Sequence, residues 1–323
     1  MNATLQVEVT AIDQLTPTIR AIELTAIGEP LPAFSAGSHV TVHLPTDPAH
    51  RNAYSLACSP SDPGSYRLAV RHDVAGAGGS RWIHEQLAEG RVLRIERPCN
   101  FFAPIRTARH QLLIAGGIGI TPFVSYAHQL SRDAASFELH YAVRAADELP
   151  FLDELLDLCG ERLHVYVDPD GSALMKALRD TVLTGQPLGT HLSVCGPGAM
   201  MDAVTGAAAE LGWPAARVHV ERFSLPGGER TPFVAIDHLS HRRIAVTAEQ
   251  TLLEALEDAG YEMPYLCRQG ICGQCLTTVR AGAPDHRDVY LTPEERGSGT
   301  LIMPCVSRAA AAPLVLELPR CAA

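Results

Sequence analysis

The sequence has 323 residues, 46% apolar and 19% charged, with a formal net charge of −10. Its length points to two or three packed domains, and its acidity argues against a nucleic-acid ligand or an anionic lipid surface, which both call for basic residues. No run of about 20 apolar residues offers a membrane span, and Met1-Asn2-Ala3-Thr4 opens without the basic and apolar regions of a secretory signal, so a cytoplasmic protein is expected.

In chain order, the first hundred residues read mostly as strands, near 5–12, 19–24, 39–44, 53–57, 66–70 and 92–96. Turn clusters at Thr46-Asp47-Pro48 and Ser61-Asp62-Pro63-Gly64 punctuate them, and one helical stretch, 81–87, ends before Gly90. Short strands with a single helix predict an antiparallel β-barrel over 1–106. From 107 to 224 the pattern alternates. Strands at 111–115, 137–143, 163–167, 191–195 and 217–221 are separated by helices at 121–130, 151–158, 173–178 and 199–211. That is the rhythm of a doubly wound α/β parallel sheet. Thr121 is the expected N-cap of its helix, with Pro122 at the first helical position. The polar stretch 225–231, rich in Pro and Gly, reads as a linker. The last segment, 232–323, carries strands at 233–237, 243–246 and 276–280 and a helix at 252–259. It is expected to be a small β-grasp-like α+β domain.

The sharpest motif lies in that segment. Cys267-x4-Cys272-x2-Cys275 is completed by Cys305 after 29 more residues, the plant-type [2Fe–2S] spacing. Four thiolates must converge on a small volume, with Gly270 and Gly273 supplying the unusual backbone angles that such a loop needs. A four-cysteine zinc site is the competing reading, although zinc sites usually show two close Cys pairs and here only Cys272 and Cys275 make one. The remaining cysteines (Cys58, Cys99, Cys159, Cys195, Cys321) are scattered and do not read as a disulfide framework.

The stretch Tyr265-Leu266-Cys267-Arg268-Gln269-Gly270-Ile271-Cys272-Gly273-Gln274-Cys275 resembles a plant-type ferredoxin loop. Asp285-His286-Arg287-Asp288 with Ile302-Met303-Pro304-Cys305-Val306-Ser307-Arg308 is similar to the C-terminal domain of the phthalate dioxygenase reductase family, which includes the reductases of vanillate demethylase and related Rieske oxygenases. Upstream motifs follow the order that this resemblance implies. Gly116-Gly117-Ile118-Gly119-Ile120-Thr121-Pro122 stands between a strand and a helix, where glycines let a pyrophosphate approach backbone N–H groups. Its last position departs from G-x-G-x-x-G, and an ordinary strand–helix turn is the plain alternative. Cys195-Gly196-Pro197 resembles the C-G-P turn beside the nicotinamide, although Cys195 alone would read as a core thiol. Phe223 of Glu221-Arg222-Phe223 matches the aromatic residue that the resemblance stacks near the flavin ring. Asp168 could accept from a ribose hydroxyl and repel a 2′-phosphate, favouring NADH; the alternative is a solvated turn carboxylate.

In the barrel, Arg51-Asn52-Ala53-Tyr54-Ser55 resembles the R-x-Y-S flavin motif, with Tyr54 against the isoalloxazine and Ser55 near its N5. Asn52 stands where the motif has arginine, and Arg51 lies one residue earlier. Gly78-Gly79-Ser80-Arg81 opens a helix and reads as the phosphate-binding turn, with Arg81 adding a charge-assisted bond. FMN rather than FAD rests on the resemblance.

The implied function is an NADH-dependent reductase passing electrons from NADH to FMN to a [2Fe–2S] cluster and on to a terminal Rieske-type oxygenase or demethylase. The flavin is expected to split a two-electron hydride for a one-electron cluster. From Pro232 onward eight arginines face eleven carboxylates, a mildly acidic surface that suits a basic patch on the acceptor. A cytochrome P450 acceptor, a ferredoxin-type carrier without NADH activity, and a zinc-bound scaffold are the alternatives.

Overall fold

The computed structural model describes residues 4–46, 50–62, 64–74, 76, 78–223 and 230–319. Asp47, Pro48, Pro63, Cys321 and positions 225–229 of the expected linker lie outside the described residues. Two compact units form, Asn2–Arg222 and Phe223–Ala323.

The first unit begins with a hairpin of β1 (Thr4–Thr16) and β2 (Ile19–Ala26). Alternation along β1 turns Val7 and Val9 fully inward, as a half-buried strand requires. With β3 (His39–Leu44), β4 (His50–Ser55), β5 (Ser65–Arg71) and β6 (Val92–Glu96) they build an antiparallel sheet ordered β4-β3-β6-β1-β2-β5. Just past β4, the N–H of Ala57 donates to the carbonyl of Arg67 in β5 at 2.8 Å. The outer strands thus approach one another, and the sheet curls around Val7, Leu24, Val42, Leu68 and Ile95. Helix α1 (Gly79–Glu85) adds Trp82 and Ile83 to the same core.

The second sheet of this unit is wholly parallel. It contains β7 (His110–Gly116), β8 (Phe137–Val143), β9 (Leu163–Val167), β10 (Thr190–Cys195) and β11 (Val218–Glu221), ordered β11-β10-β7-β8-β9. Residues 111–116 of β7 are buried throughout, because helices cover both faces. Leu113 and Ala115 pack toward α2 (Thr121–Arg132) and α3 (Leu152–Cys159). Leu112 and Ile114 pack toward α4 (Ser172–Ala177) and α5 (Gly198–Glu210). Ile19, Ala36, Ala69 and Phe102 from the barrel segment join the α2 side, so barrel and sheet share one core. Arg67 reaches both oxygens of Glu154 on α3, at 2.7 and 2.6 Å, and ties them further.

The expected cap at Thr121 is not what forms. A 3₁₀ turn over Gly117–Ile120 precedes α2, so Thr121 already has helical angles, and its hydroxyl donates back to Ile118 O at 3.0 Å. Pro122 follows in the first helical turn, where its missing N–H costs nothing.

The second unit has a mixed sheet, β13-β12-β16-β14-β15, from β12 (Phe233–Asp237), β13 (Arg243–Val246), β14 (Thr277–Asp285), β15 (Leu301–Ile302) and β16 (Arg308–Glu317). Helix α6 (Leu252–Asp258) is opened by a capping box between Thr251 and Glu254 and buries Leu252, Leu253 and Leu256. Helix α7 (Pro293–Ser298), β15 and β16 were not expected from the sequence. The Ala-rich start of β16 has low strand propensity, and Pro313 argues against a central strand. The strand forms because β12 and β14 flank it. A register shift between Ala281↔Val315 and Ala283↔Ala311 leaves Pro313 outside the β14 ladder. No helix among the described residues is long and apolar enough to cross a membrane.

Candidate redox and nucleotide sites

In the second unit Cys267, Cys275 and Cys305 are buried and Cys272 is half-buried. The sulfurs of Cys275 and Cys305 lie 3.3 Å apart, and the N–H of Gln269 donates to Cys267 Sγ at 3.3 Å. A hydrogen bond with Cys272, opposed by burial, together with the N–H groups of Gln269, Ile271 and Cys272 brings the Cys267 thiol below its usual range. Further backbone N–H groups reach Cys272 from Gln274 and Cys305 from Gly270. The loop winds through positive φ at Arg268 (53°), Gly270 (70°) and Gly273 (76°). Arg268 has a Cβ and is held in that strained region by an ion pair to Glu257 at 2.7 Å and by stacking 3.7 Å from the Tyr265 ring. At Gly273 any Cβ would strike the Tyr290 ring at 2.3 Å. Four convergent sulfurs beneath backbone donors are the chemistry of an iron–sulfur cradle, and the residues fit that group.

The second sequence element of the ferredoxin resemblance buttresses this loop. Ser307 Oγ donates to Asp288 at 3.2 Å and accepts from Arg287 N at 3.1 Å. Arg308, 3% exposed, donates from its two terminal nitrogens to the carbonyls of Gln250, Thr231 and Thr247, which hold a buried guanidinium without a carboxylate.

In the barrel, β4 meets the start of α1. The Asn52 amide donates to the Tyr54 hydroxyl at 3.1 Å, and a Cβ on Gly79 would lie 2.4 Å from that amide nitrogen. The two flavin-motif stretches are therefore adjacent. Burial, opposed by the Asn52 hydrogen bond, raises the Tyr54 phenol to about 12. Strand alternation sets Arg51 and Ser55 on the opposite face of β4 from Asn52 and Tyr54. Ser80 Oγ accepts from Asp73 N at 3.0 Å, and Arg81 donates to Val74 O at 3.1 Å, so both face the turn before α1; Gly78 has φ 106°.

Ser55 is 5% exposed, and its hydroxyl has no hydrogen-bond partner among the described residues. His39, its cross-strand neighbour, is 3% exposed with Nδ1 likewise unpartnered. Burial, opposed by Glu96, lowers the His39 imidazole to about 4. Two orphaned polar atoms side by side fit a polar heterocycle such as a flavin ring. His39 escaped sequence reasoning, since a histidine opening an apolar strand carries no local signature.

In the parallel sheet, β8 and β9 lie on one side of β7 and β10 and β11 on the other. Connections reverse between β7 and β10, and such a switch point is where open α/β sheets bind ligands, at the strands' carboxyl ends. Ala115 and Cys195 pair there, so the Gly116–Pro122 and Gly196-Pro197 turns face each other. They touch: a Cβ on Gly119 would lie 2.4 Å from Cys195 O, and one on Gly116 or Gly196 would be 2.6 Å from Met200. Gly117, at φ 53°, is the glycine of these turns with open space beside it. Thr121 and Pro122 are buried. The turn is thus packed at Gly116 and Gly119 and open at Gly117.

Cys195 is fully buried, and burial reinforced by Glu221 drives its thiol well above the usual range. Glu221, its neighbour on β11, was not singled out from the sequence. It is 4% exposed, burial raises its carboxyl to about 8, and Oε2 has no partner among the described residues. A carboxylate ending an apolar strand was the available signal. Asp168 follows β9 and accepts from Ala173 N at 2.5 Å and Ser172 Oγ at 3.3 Å; the Ala173 N–H, opposed by desolvation and helped by the Asp170 N–H, keeps its carboxyl below the usual range. Phe223, just past β11, is 43% exposed.

A curled barrel, a five-stranded dinucleotide-type sheet and a four-cysteine unit together define a modular electron-transfer reductase. The 2Fe-2S iron-sulfur cluster binding domain family matches residues 236–310, and the N-terminal domain family of dimethylamine monooxygenase subunit DmmA-like proteins matches 98–218. The chain is 44% identical over 320 residues to the heme-dependent oxidative N-demethylase beta subunit of Ectopseudomonas mendocina, covering 98% of this chain and all of that one. It is 40% identical to the vanillate O-demethylase oxidoreductase of Acinetobacter baylyi, covering 95% and 96% of the two chains. The solved phthalate dioxygenase reductase, described as a modular structure for electron transfer from pyridine nucleotides to [2Fe-2S], superposes with a TM-score of 0.86 at 35% identity over 98% of each chain. The chain belongs to the phthalate dioxygenase reductase family, the oxidoreductase components of oxygenase and demethylase systems. It carries the family's C-terminal ferredoxin domain, a [2Fe–2S] rather than a zinc domain.

Proposed function

We propose that this protein takes electrons from NADH through FMN to a [2Fe–2S] cluster and delivers them singly to a terminal oxygenase that removes methyl groups, in the cytoplasm. The observation that carries this reading is the coincidence, in one chain, of the four-cysteine cradle, the Ser55–His39 polar pair and the β7/β10 switch point. FMN and the cluster would supply the conversion of a two-electron hydride into single electrons.

The chain's own residues would bind and orient. Arg51, Asn52, Tyr54 and Ser55, with Gly78, Gly79, Ser80 and Arg81, would hold the flavin and its phosphate, and Phe223 is the aromatic residue that the family likeness assigns to the ring. Gly116, Gly117, Gly119, Thr121, Pro122, Gly196 and Pro197 would shape the dinucleotide crevice, and Asp168 would accept from the ribose. Cys195 stays a neutral thiol at physiological pH and would line the nicotinamide end without drawing a proton. Cys267, Cys272, Cys275 and Cys305 would ligate the cluster.

Two acceptors fit. A Rieske-type centre is the reading that the vanillate demethylase likeness supports. A heme acceptor is favoured by the 44% likeness to a heme-dependent N-demethylase subunit. An anaerobic spectrum before and after NADH, with flavin and iron quantified, tests the reductase; bands that ignore NADH after reconstitution would sink it. Stopped-flow mixing of the reduced protein with a purified Rieske oxygenase or a heme demethylase then separates the acceptors by which one oxidises the cluster within turnover time.

A further inference from the structure

On the α4/α5 side of the parallel sheet, toward the amino ends of its strands, lies a polar cluster that none of the steps above uses. His140 of β8 pairs in register with His164 of β9, and their rings stack at 4.6 Å. Glu138, two residues before His140, points to the same side. Glu138 Oε1 lies 3.6 Å from His140 Nε2. Ligand atoms of Glu138, His140 and His164 all fall within 4.8 Å of one another.

The surroundings hold these groups in place. Tyr166 OH sits 2.9 Å from His140 Nδ1, and Gln186 Nε2 donates to Glu138 Oε1 at 2.5 Å. These are the outer contacts that orient ligating imidazoles and carboxylates. With Nδ1 engaged, Nε2 is the atom of His140 left for a ligand. His140 is 3% exposed, and its Nε2 has no hydrogen bond within 3.5 Å among the described residues, Glu138 standing 3.6 Å away, so room remains between the two for a small ion. His110 Nε2 stands 4.0 Å from the same Glu138 oxygen.

We propose that Glu138, His140 and His164 form a binding site for a borderline divalent cation, Zn²⁺ above all, separate from the cluster cysteines. Two imidazoles and a carboxylate are an established zinc donor set that leaves a fourth position for water or a further ligand. Bonds of about 2.1 Å place tetrahedral ligands about 3.4 Å apart. The Glu138–His140 spacing already meets this, and the exposed His164 on the edge strand supplies the remaining closure. The ion would pin edge strand β9 to β8.

The test uses tag-free holoprotein with its iron in place, dialysed against buffered micromolar Zn²⁺ and analysed for both metals. The wild type should retain about one zinc per chain more than His164→Ala or Glu138→Gln, with iron content unchanged, and only the wild type should gain thermal stability on adding Zn²⁺. His164 is exposed, so its variant is expected to fold with an unchanged metal-free melting point. Equal zinc in wild type and variants, no zinc in either, or zinc gained only as iron is lost would each overturn the proposal.

Discussion

Ser55 and His39 show how one residue's surroundings decide its use. A buried hydroxyl without a partner costs about 1–3 kcal/mol, and the Ser55 hydroxyl has none among the described residues. Ser55→Ala should therefore raise the melting temperature of the flavin-free protein. The same variant should slow flavin reduction by NADH about tenfold or more, equivalent to ~1.4 kcal/mol in the barrier, as read by stopped flow at unchanged flavin content. His39 predicts an acid limb. Burial holds it at about 4 when folded against 6.5 unfolded, so below pH 6.5 the unfolded chain binds a proton that the folded chain refuses. Stability is full above pH 6.5 and falls as pH drops toward 4, by about 3 kcal/mol for this one group. Denaturant melts of His39→Gln across that window should show a shallower decline than the wild type.

Between elements, the glycines where β7 and β10 end separate packing from ligand approach. Gly119→Ala forces a Cβ to within 2.4 Å of Cys195 O. It should cost about 1–3 kcal/mol by overpacking and raise KM for NADH as the two turns part. Gly117→Ala meets nothing within 4 Å and should cost only about 1–2 kcal/mol of left-handed backbone strain. Urea unfolding with NADH titration of both variants checks the contrast: Gly117→Ala, whose Cβ enters the open space beside the turn, should raise KM for NADH with little loss of stability, and an unchanged KM in that variant would contradict it.

Across the whole molecule, the barrel and parallel sheet share a core, while the cysteine-bearing unit has its own. Cys305→Ser removes a proposed cluster ligand that is 2% exposed. Iron should be lost and the unit from Phe223 onward should melt earlier in calorimetry, because cluster binding is linked to folding. The unit ending at Arg222 should melt as before. NADH should still reduce a two-electron dye, while delivery to a one-electron protein acceptor should fail. Loss of dye reduction would mean that the units are not functionally separable.

Much of this was legible in the residues alone. The cysteine spacing carries its own loop geometry, and the period switch from strands to alternating strands and helices marks the barrel and the parallel sheet, because burial on one face or on two leaves different patterns. The strands at 39–44, 92–96, 137–143, 163–167, 233–237 and 243–246 have the ends expected of them. Local pattern could not supply what depends on distant partners. Strand β16 exists because two strands flank an Ala- and Pro-containing segment, and Thr121 loses its cap to a preceding 3₁₀ turn. His39, Glu221 and His140 matter for what surrounds them, and burial, cross-strand register and unpartnered atoms arise only when strands far apart in the chain are brought side by side.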